Sequence, residues 1–247
     1  ARGLQAYPAP ARMLPMSRSK SNRSPVPAEA GRQRAPTAAT DGKRERIMAV
    51  AARLFFEQGY ANTTIDQIAA ELGVSKPFVY YYFRDKLTLL ETLSWGPTAE
   101  ALSSMDFPAD DPRPAHAKLA AGLERLVRVT VEHHPAATLP YRELQVYGPA
   151  YRSAHQRMAD RFYDRMTALL EQARAEGRAA FDDAKVTALA AASIAGFLYT
   201  WYRPEGRLPR DEVIAQLTRI AMRAIGLRRR AGPAVPEPRS ARSKASR

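Results

Sequence analysis

Apolar residues recur along most of this chain at helical spacing. Ile47, Val50, Ala51, Leu54 and Phe55 stand at i, i+3, i+4, i+7 and i+8, one face of a helix, and Gly59 follows at a C′ position. Thr63 or Thr64 can cap a short second helix, with Asp66 or Gln67 three residues on as capping-box partner, and Gly73 ends it. Ser75 can cap a third helix, where Pro77 is tolerated because a first-turn N–H has no intrahelical acceptor. A fourth starts near Asp85 and is expected to break or kink at Gly96-Pro97. Beyond the linker "DFPADDPRP" (106–114), Leu119, Leu123, Leu126, Val127, Thr130 and Val131 share one face of a helix that Pro135 stops. A short, Pro140-interrupted segment follows. A long helix over about 150–176 has Tyr151, Ala154, His155, Met158, Phe162, Met166 and Leu169 on one stripe. Two more helices are expected over 183–203 and 210–226. No segment alternates with a period of two, so the fold class expected is all-α.

The two ends differ from this pattern. Residues 1–40 and 228–247 are rich in Pro, Ser, Ala and Arg without periodicity, and are expected to be disordered basic tails. Met13 and Met16 lie inside the first as candidate translation starts. The formal net charge is +13. Residues 1–42 supply +5 of it and residues 228–247 supply +6, leaving +2 for the stretch between. Net charge alone therefore does not argue for a nucleic-acid partner, and a motif has to. The chain has no cysteine, which excludes disulfides and thiolate metal sites and suggests a cytoplasmic protein. No apolar run approaches the ~20 residues of a membrane span, and the first 15 residues lack a secretory apolar segment. No cofactor or metal is expected, because four scattered histidines have no metal-site spacing.

The motif lies in "VSKPFVYYYF" (74–83) and the residues before it. Two short helices joined by a tight turn at 72–74 read as a helix-turn-helix. Ile68, Leu72, Val74 and Val79 are apolar where the two must pack, and Ala69 is small where they cross. In such a unit the second helix enters the major groove and the first crosses the phosphate backbone. Val79 and Phe83 share one face and hold the helix to the core, so Tyr80, Tyr81 and Tyr82 spread over the rest of its circumference. A tyrosine hydroxyl can donate to a phosphate while its ring packs on sugar or a thymine methyl. The expected DNA contacts are Thr64, Ser75, Lys76, Pro77, Phe78, Tyr80, Tyr81, Tyr82 and Lys86. The competing reading of the tyrosines is that they fill a joint with the next domain.

The stretch "RERIMAVAARLFFEQGYANTTIDQIAAELGVSKPFVYYYFRDKLTLLETL" (44–93) resembles the DNA-binding domain of TetR/AcrR-family transcriptional regulators. The matching pieces are "LFFEQGY", "TTIDQIAAELGVS" and "VYYYFRDK". Pro77-Phe78 departs from the family, in which many members have Gly and a small or polar residue there. The resemblance implies an all-α homodimer, a four-helix dimer interface built from 183–203 and 210–226, a ligand cavity in the C-terminal domain, and repression relieved by a small molecule. The expected domains are a helix-turn-helix unit at 41–92 and a helical regulatory and dimerisation unit at 93–227.

In the second unit the helix over 183–203 is apolar nearly all round, so it must be covered on both sides. It is either the centre of a monomeric core or a partner-facing helix that approaches through small residues. The expected dimer contacts are Ala191, Ala192, Ala195, Gly196, Leu217, Ile220 and Ala221. An effector pocket can draw on Trp95, Met105, Phe107, Tyr141, Tyr147, Tyr151, Met158, Phe162 and Trp201, each of which is also a core candidate. His133 and His134 suit a helix C-terminus, and Arg142 and Glu143 either anchor a polar ligand group or form a solvated ion pair. The leading function is a ligand-responsive repressor that binds a palindromic double-stranded operator as a homodimer, with no membrane partner. The alternatives are an all-α small-molecule binder or enzyme, against which no nucleophile–base set or phosphate loop is present, and a DNA-coating protein that relies on its tails.

Overall fold

The computed structural model describes residues 38–227, with side chains placed from residue 42. The expected tails lie outside the described residues, except for the backbone of 38–40, which begins the first helix. Among the described residues the chain is helical with no strand, and an isolated bridge pairs Ala179 with Leu227. The helices are α1 (Ala38–Gln58), α2 (Ile65–Leu72), α3 (Lys76–Tyr82), α4 (Lys86–Leu102), α5 (Ala115–Glu132), α6 (Leu139–Glu143), α7 (Pro149–Ala175), α8 (Ala184–Gly196), α9 (Leu198–Trp201) and α10 (Arg210–Ala224).

Two apolar cores divide the molecule. One joins α1, α2 and α3 to the first half of α4, and Leu139, Tyr147 and Tyr151 close it from the far side. The other is built from the end of α4 with α5, α7, α8 and α10. Helix α4 crosses the boundary expected at 92/93 and serves both.

That double service explains why α4 continues through Gly96-Pro97, where a break or kink was expected. An internal proline costs about 3 kcal/mol. Leu89, Leu90, Leu93 and Leu102 are all buried, and each contributes about 1.5–3 kcal/mol. Burial wins. The single helix expected over 183–203 is instead two, α8 and α9, separated at Phe197. There the Thr200 hydroxyl and amide both donate to the Phe197 carbonyl, which closes a tighter turn just after Gly196.

One close approach needs its glycine. A Cβ on Gly122 of α5 would sit 2.4 Å from the sulfur of buried Met105 and 3.0 Å from the Ser104 carbonyl oxygen.

Candidate nucleic-acid interface

Local chemistry assembles the α2–turn–α3 unit. Thr64, not Thr63, is the cap of α2: its hydroxyl accepts the Gln67 amide at 3.2 Å, and Gln67 Oε1 accepts the Thr64 amide at 2.7 Å. Thr63 is buried instead, and its hydroxyl donates to the carbonyls of Leu54 and Gly59. Gly73 ends α2 at φ 66°, a left-handed conformation that an L side chain resists. Ser75 stands at the N-cap of α3 but makes no side-chain capping bond, so its hydroxyl remains exposed.

On α3, Val79 and Phe83 are buried and Tyr81 is 78% exposed, the orientation that helical spacing predicts. Thr64, Ser75, Lys76, Pro77, Tyr80 and Tyr81 are all exposed. Tyr82 is half-buried, with its ring 5.1 Å from that of Tyr81 and 5.3 Å from that of Phe78. Phe78 is drawn partly into the core and lines a small cleft with Lys43, Arg46, Ile47, Leu72 and Val74. Of the Pro77-Phe78 pair, Pro77 is thus the more exposed.

Two cations behave differently from the expectation. Lys76 pairs with Asp66 at 2.7 Å on the open surface, where water and salt screen the pair. A phosphate there would have to displace that carboxylate. Lys86 turns inward, donating at 2.8 Å to the carbonyls of Tyr60 and Thr63 and lying 4.2 Å from the Tyr60 ring. Burial pushes its ammonium down from the ordinary lysine value, and Glu143 opposes this. Lys86 therefore fixes the α1–α2 loop, with two of its three donors committed to carbonyls. Lys43 and Arg46 of α1 stand in the same cleft as Phe78; sequence reasoning did not single them out, although the basic run "GKRER" (42–46) just ahead of the first apolar face was a readable signal.

The loop is also held from α6. The Arg142 guanidinium of α6 donates to the Phe56 carbonyl at 2.6 Å, and the Glu143 carboxylate accepts the Tyr60 amide at 3.2 Å. The open choice for this pair resolves as a clasp on the C-terminal end of α1, whose last carbonyls have no helical partner.

The expected pocket residues do not line one cavity. Tyr147 and Tyr151 stack at 4.3 Å, with Trp95 edge-on to Tyr151, and the Tyr147 and Tyr151 hydroxyls bond to Ser94 and Thr98. Burial pushes the Tyr151 phenol up to about 12. A cleft of about 410 Å³ opens beside Trp95 and Tyr151. Met105 and Phe162 are buried in the second core, and Met158 packs against it. Phe107 lies beneath the Arg113 and Arg125 guanidinium groups. Tyr141 and Trp201 are exposed. They are spread over several helices with different facings, which their helical spacing alone did not reveal.

The expected dimer residues are revised too. Ala191, Ala192, Ala195, Gly196, Leu217 and Ala221 are buried within the chain, and only Ile220 among them is exposed. The small-residue side of α8 lets the chain's own helices approach. A Cβ on Gly196, for example, would come within 3.1 Å of the Tyr141 ring. The outward side instead presents Val186, Leu189, Phe197 and Trp201, with Ile220 of α10.

Two family models match parts of the chain. Residues 47–93 fit the family described as bacterial regulatory proteins, tetR family, and residues 112–225 fit the tetracyclin repressor-like C-terminal domain. A crystal structure of a TetR/AcrR-family transcriptional regulator from Thermobifida fusca is 31% identical. The match covers 76% of this chain and 100% of that one, with a TM-score of 0.54. The chain belongs to the TetR family of transcriptional regulators. The regulator SrpR of Pseudomonas putida is 26% identical over 201 residues, which are 76% of this chain and 86% of SrpR. YerO of Bacillus subtilis is 48% identical over 48 residues, which are 19% of this chain and 17% of YerO, so that likeness concerns one unit only. The family is one of regulators, not of enzymes, and the enzyme alternative is set aside. Among the described residues, no helix is long and apolar enough to cross a membrane.

Proposed function

We propose that this TetR-family protein binds a palindromic operator as a homodimer in the cytoplasm and represses transcription until a small molecule releases it. The observation that carries this reading is the surface of α3. Tyr80 and Tyr81 stand outward beside Lys76 and Pro77, while Val79 and Phe83 hold the helix from behind. Residues 41–92 act as the DNA-binding unit and 93–227 as the regulatory and dimerisation unit. Lys43 and Arg46 add phosphate contacts from α1.

The exposed apolar side of α8 and α9, with Ile220, supports self-association, because a monomer gains nothing from leaving Phe197 and Trp201 in water. A two-fold axis there would present two α3 helices to half-sites one DNA turn apart, about 34 Å. The basic tails add affinity that ignores sequence and falls with salt. An effector acts by preferring the conformer whose α3 helices are misplaced.

Selection of bound fragments from genomic DNA, with the molar mass measured by light scattering, tests the reading. An enriched inverted repeat bound by a particle of twice the chain mass is expected. Fragments without a shared sequence, or a monomeric particle on DNA, would overturn it.

A further inference from the structure

On the flank of the molecule, α1, the loop after α5, α6 and the connection from α9 to α10 enclose a cleft of about 510 Å³, a size usual for small-molecule sites. Its walls are rings and guanidinium groups. The Arg142 and Arg203 guanidinium carbons lie 5.9 and 5.7 Å from the ring centre of Phe56. His134 meets the same ring edge-on at 4.7 Å, and the Tyr202 ring lies 5.2 Å from His134, also edge-on. Tyr199, Pro135 and Pro204 complete the apolar lining.

The charges in this cleft are unevenly matched. Arg53 is paired with Glu57 at 3.0 Å and Glu71 at 2.6 Å. Arg142 has the Phe56 carbonyl and lies 3.6 Å from Glu143. Arg203 has only its neighbour's carbonyl, that of Tyr202, and among the described residues no carboxylate lies within 4 Å of it, although Glu205 lines the same cleft. Both ring nitrogens of His134 are buried without a hydrogen-bond partner. Burial and the nearby Arg203 charge hold that imidazole down to about 4, so it is neutral at ordinary pH. An apolar slot with one unspent planar cation at its edge matches a ligand with an aromatic body and a carboxylate.

We propose that this cleft, outside the interior of the regulatory unit, binds a small aromatic carboxylate, with Arg203 taking the carboxylate and Phe56, His134 and Tyr199 taking the ring. The site also has a route to DNA, which rests on the function proposed above. A carboxylate that reaches Arg142 competes with the Phe56 carbonyl for its guanidinium. Loosening that bond frees the end of α1 from α6, and with it the α1–α2 loop that Lys86 of α4 and Glu143 of α6 hold at Tyr60 and Thr63.

The test uses the full chain and calorimetric titration without DNA. The probes are 2-naphthoate, its neutral amide and inorganic phosphate. Saturable binding of naphthoate at one site per chain is expected, with the amide about tenfold weaker or worse, as loss of a charged hydrogen bond implies. Phosphate should not displace naphthoate, because charge alone does not fill the slot. Arg203→Gln should weaken naphthoate about tenfold and Arg203→Lys less, as a point charge replaces the planar fork. The thermal midpoint of both variants without ligand should match the wild type. No saturable binding, equal binding of the amide, or an unchanged affinity in Arg203→Gln would overturn the site.

Operator binding is then measured with and without saturating naphthoate. Weaker binding in the wild type, absent in Arg203→Gln, supports the coupling. Naphthoate binding through Arg203 with unchanged operator affinity overturns the coupling alone. A chain that selects no DNA sequence defeats the regulator reading, while the titration without DNA still decides the site.

Discussion

Two surfaces of this chain expose aromatic side chains, and they are built in opposite ways. On α3 the exposed rings carry hydroxyls and stand among cations: Tyr80 and Tyr81 lie beside Lys76, with Lys43 and Arg46 behind Phe78. The outward side of α8 and α9 offers Val186, Leu189, Phe197 and Trp201, which are almost wholly apolar. A surface meant to meet phosphates and groove edges keeps its polarity exposed, whereas one meant to lose its water to another apolar surface does not need it. Exposure alone does not tell a partner. The chemistry of the exposed groups does.

The largest expected effect comes from breaking the apolar side. Replacing both Phe197 and Trp201 by Glu should convert a dimer into a monomer, read as mass by light scattering. Losing one of two tethered DNA-binding units should then lower operator affinity by about 100-fold or more. Next is Lys86→Met, which leaves the Tyr60 and Thr63 carbonyls without their charged donor. Thermal or urea unfolding should show a loss of about 1.5–3 kcal/mol, although the substitution lies at the DNA-binding end. Tyr81→Ala should do the reverse, leaving the unfolding midpoint in place while weakening the selected operator about tenfold relative to random DNA. Equal loss on both DNAs would make Tyr81 a mere phosphate contact and erase the contrast with α8.

The last effect is confined to acid pH and concerns the loop after α5, where His134 touches Phe56 of α1 and Tyr202 just beyond α9. Its ordinary value of 6.5 is held down to about 4 in the fold. The unfolded chain therefore binds the proton more readily than the folded one between those values. The stability tied to the neutral ring is fully present above about pH 6.5 and is lost as pH falls toward about 4. Unfolding curves across this window should show that slope in the wild type and a shallower one in His134→Leu.

Much of the DNA-binding end was legible because its signals are local. A cap three residues from its partner, a glycine at φ 66° and apolar residues one helical turn apart all act within about ten residues of chain. Lys86 was legible as a cation but not in its main role, because its two carbonyls lie 23 and 26 residues away. Likewise, Arg142 and Glu143 stood out as a charged pair, but nothing near them in sequence points to α1, more than 80 residues earlier.

Periodicity and capping chemistry were thus enough to set an all-α chain, its helix-turn-helix and the outward turn of Tyr80 and Tyr81, while Tyr82 folds back onto Phe78. Those choices are made between neighbours along the backbone. Tertiary packing decided the rest. It kept α4 whole through Pro97 by burying four leucines in two cores, and it split the last long apolar helix at Phe197. It also chose which side of α8 faces inward. A helix apolar on every side has no preferred direction of its own, so only the shapes packed against it, such as the Tyr141 ring over Gly196, could choose one.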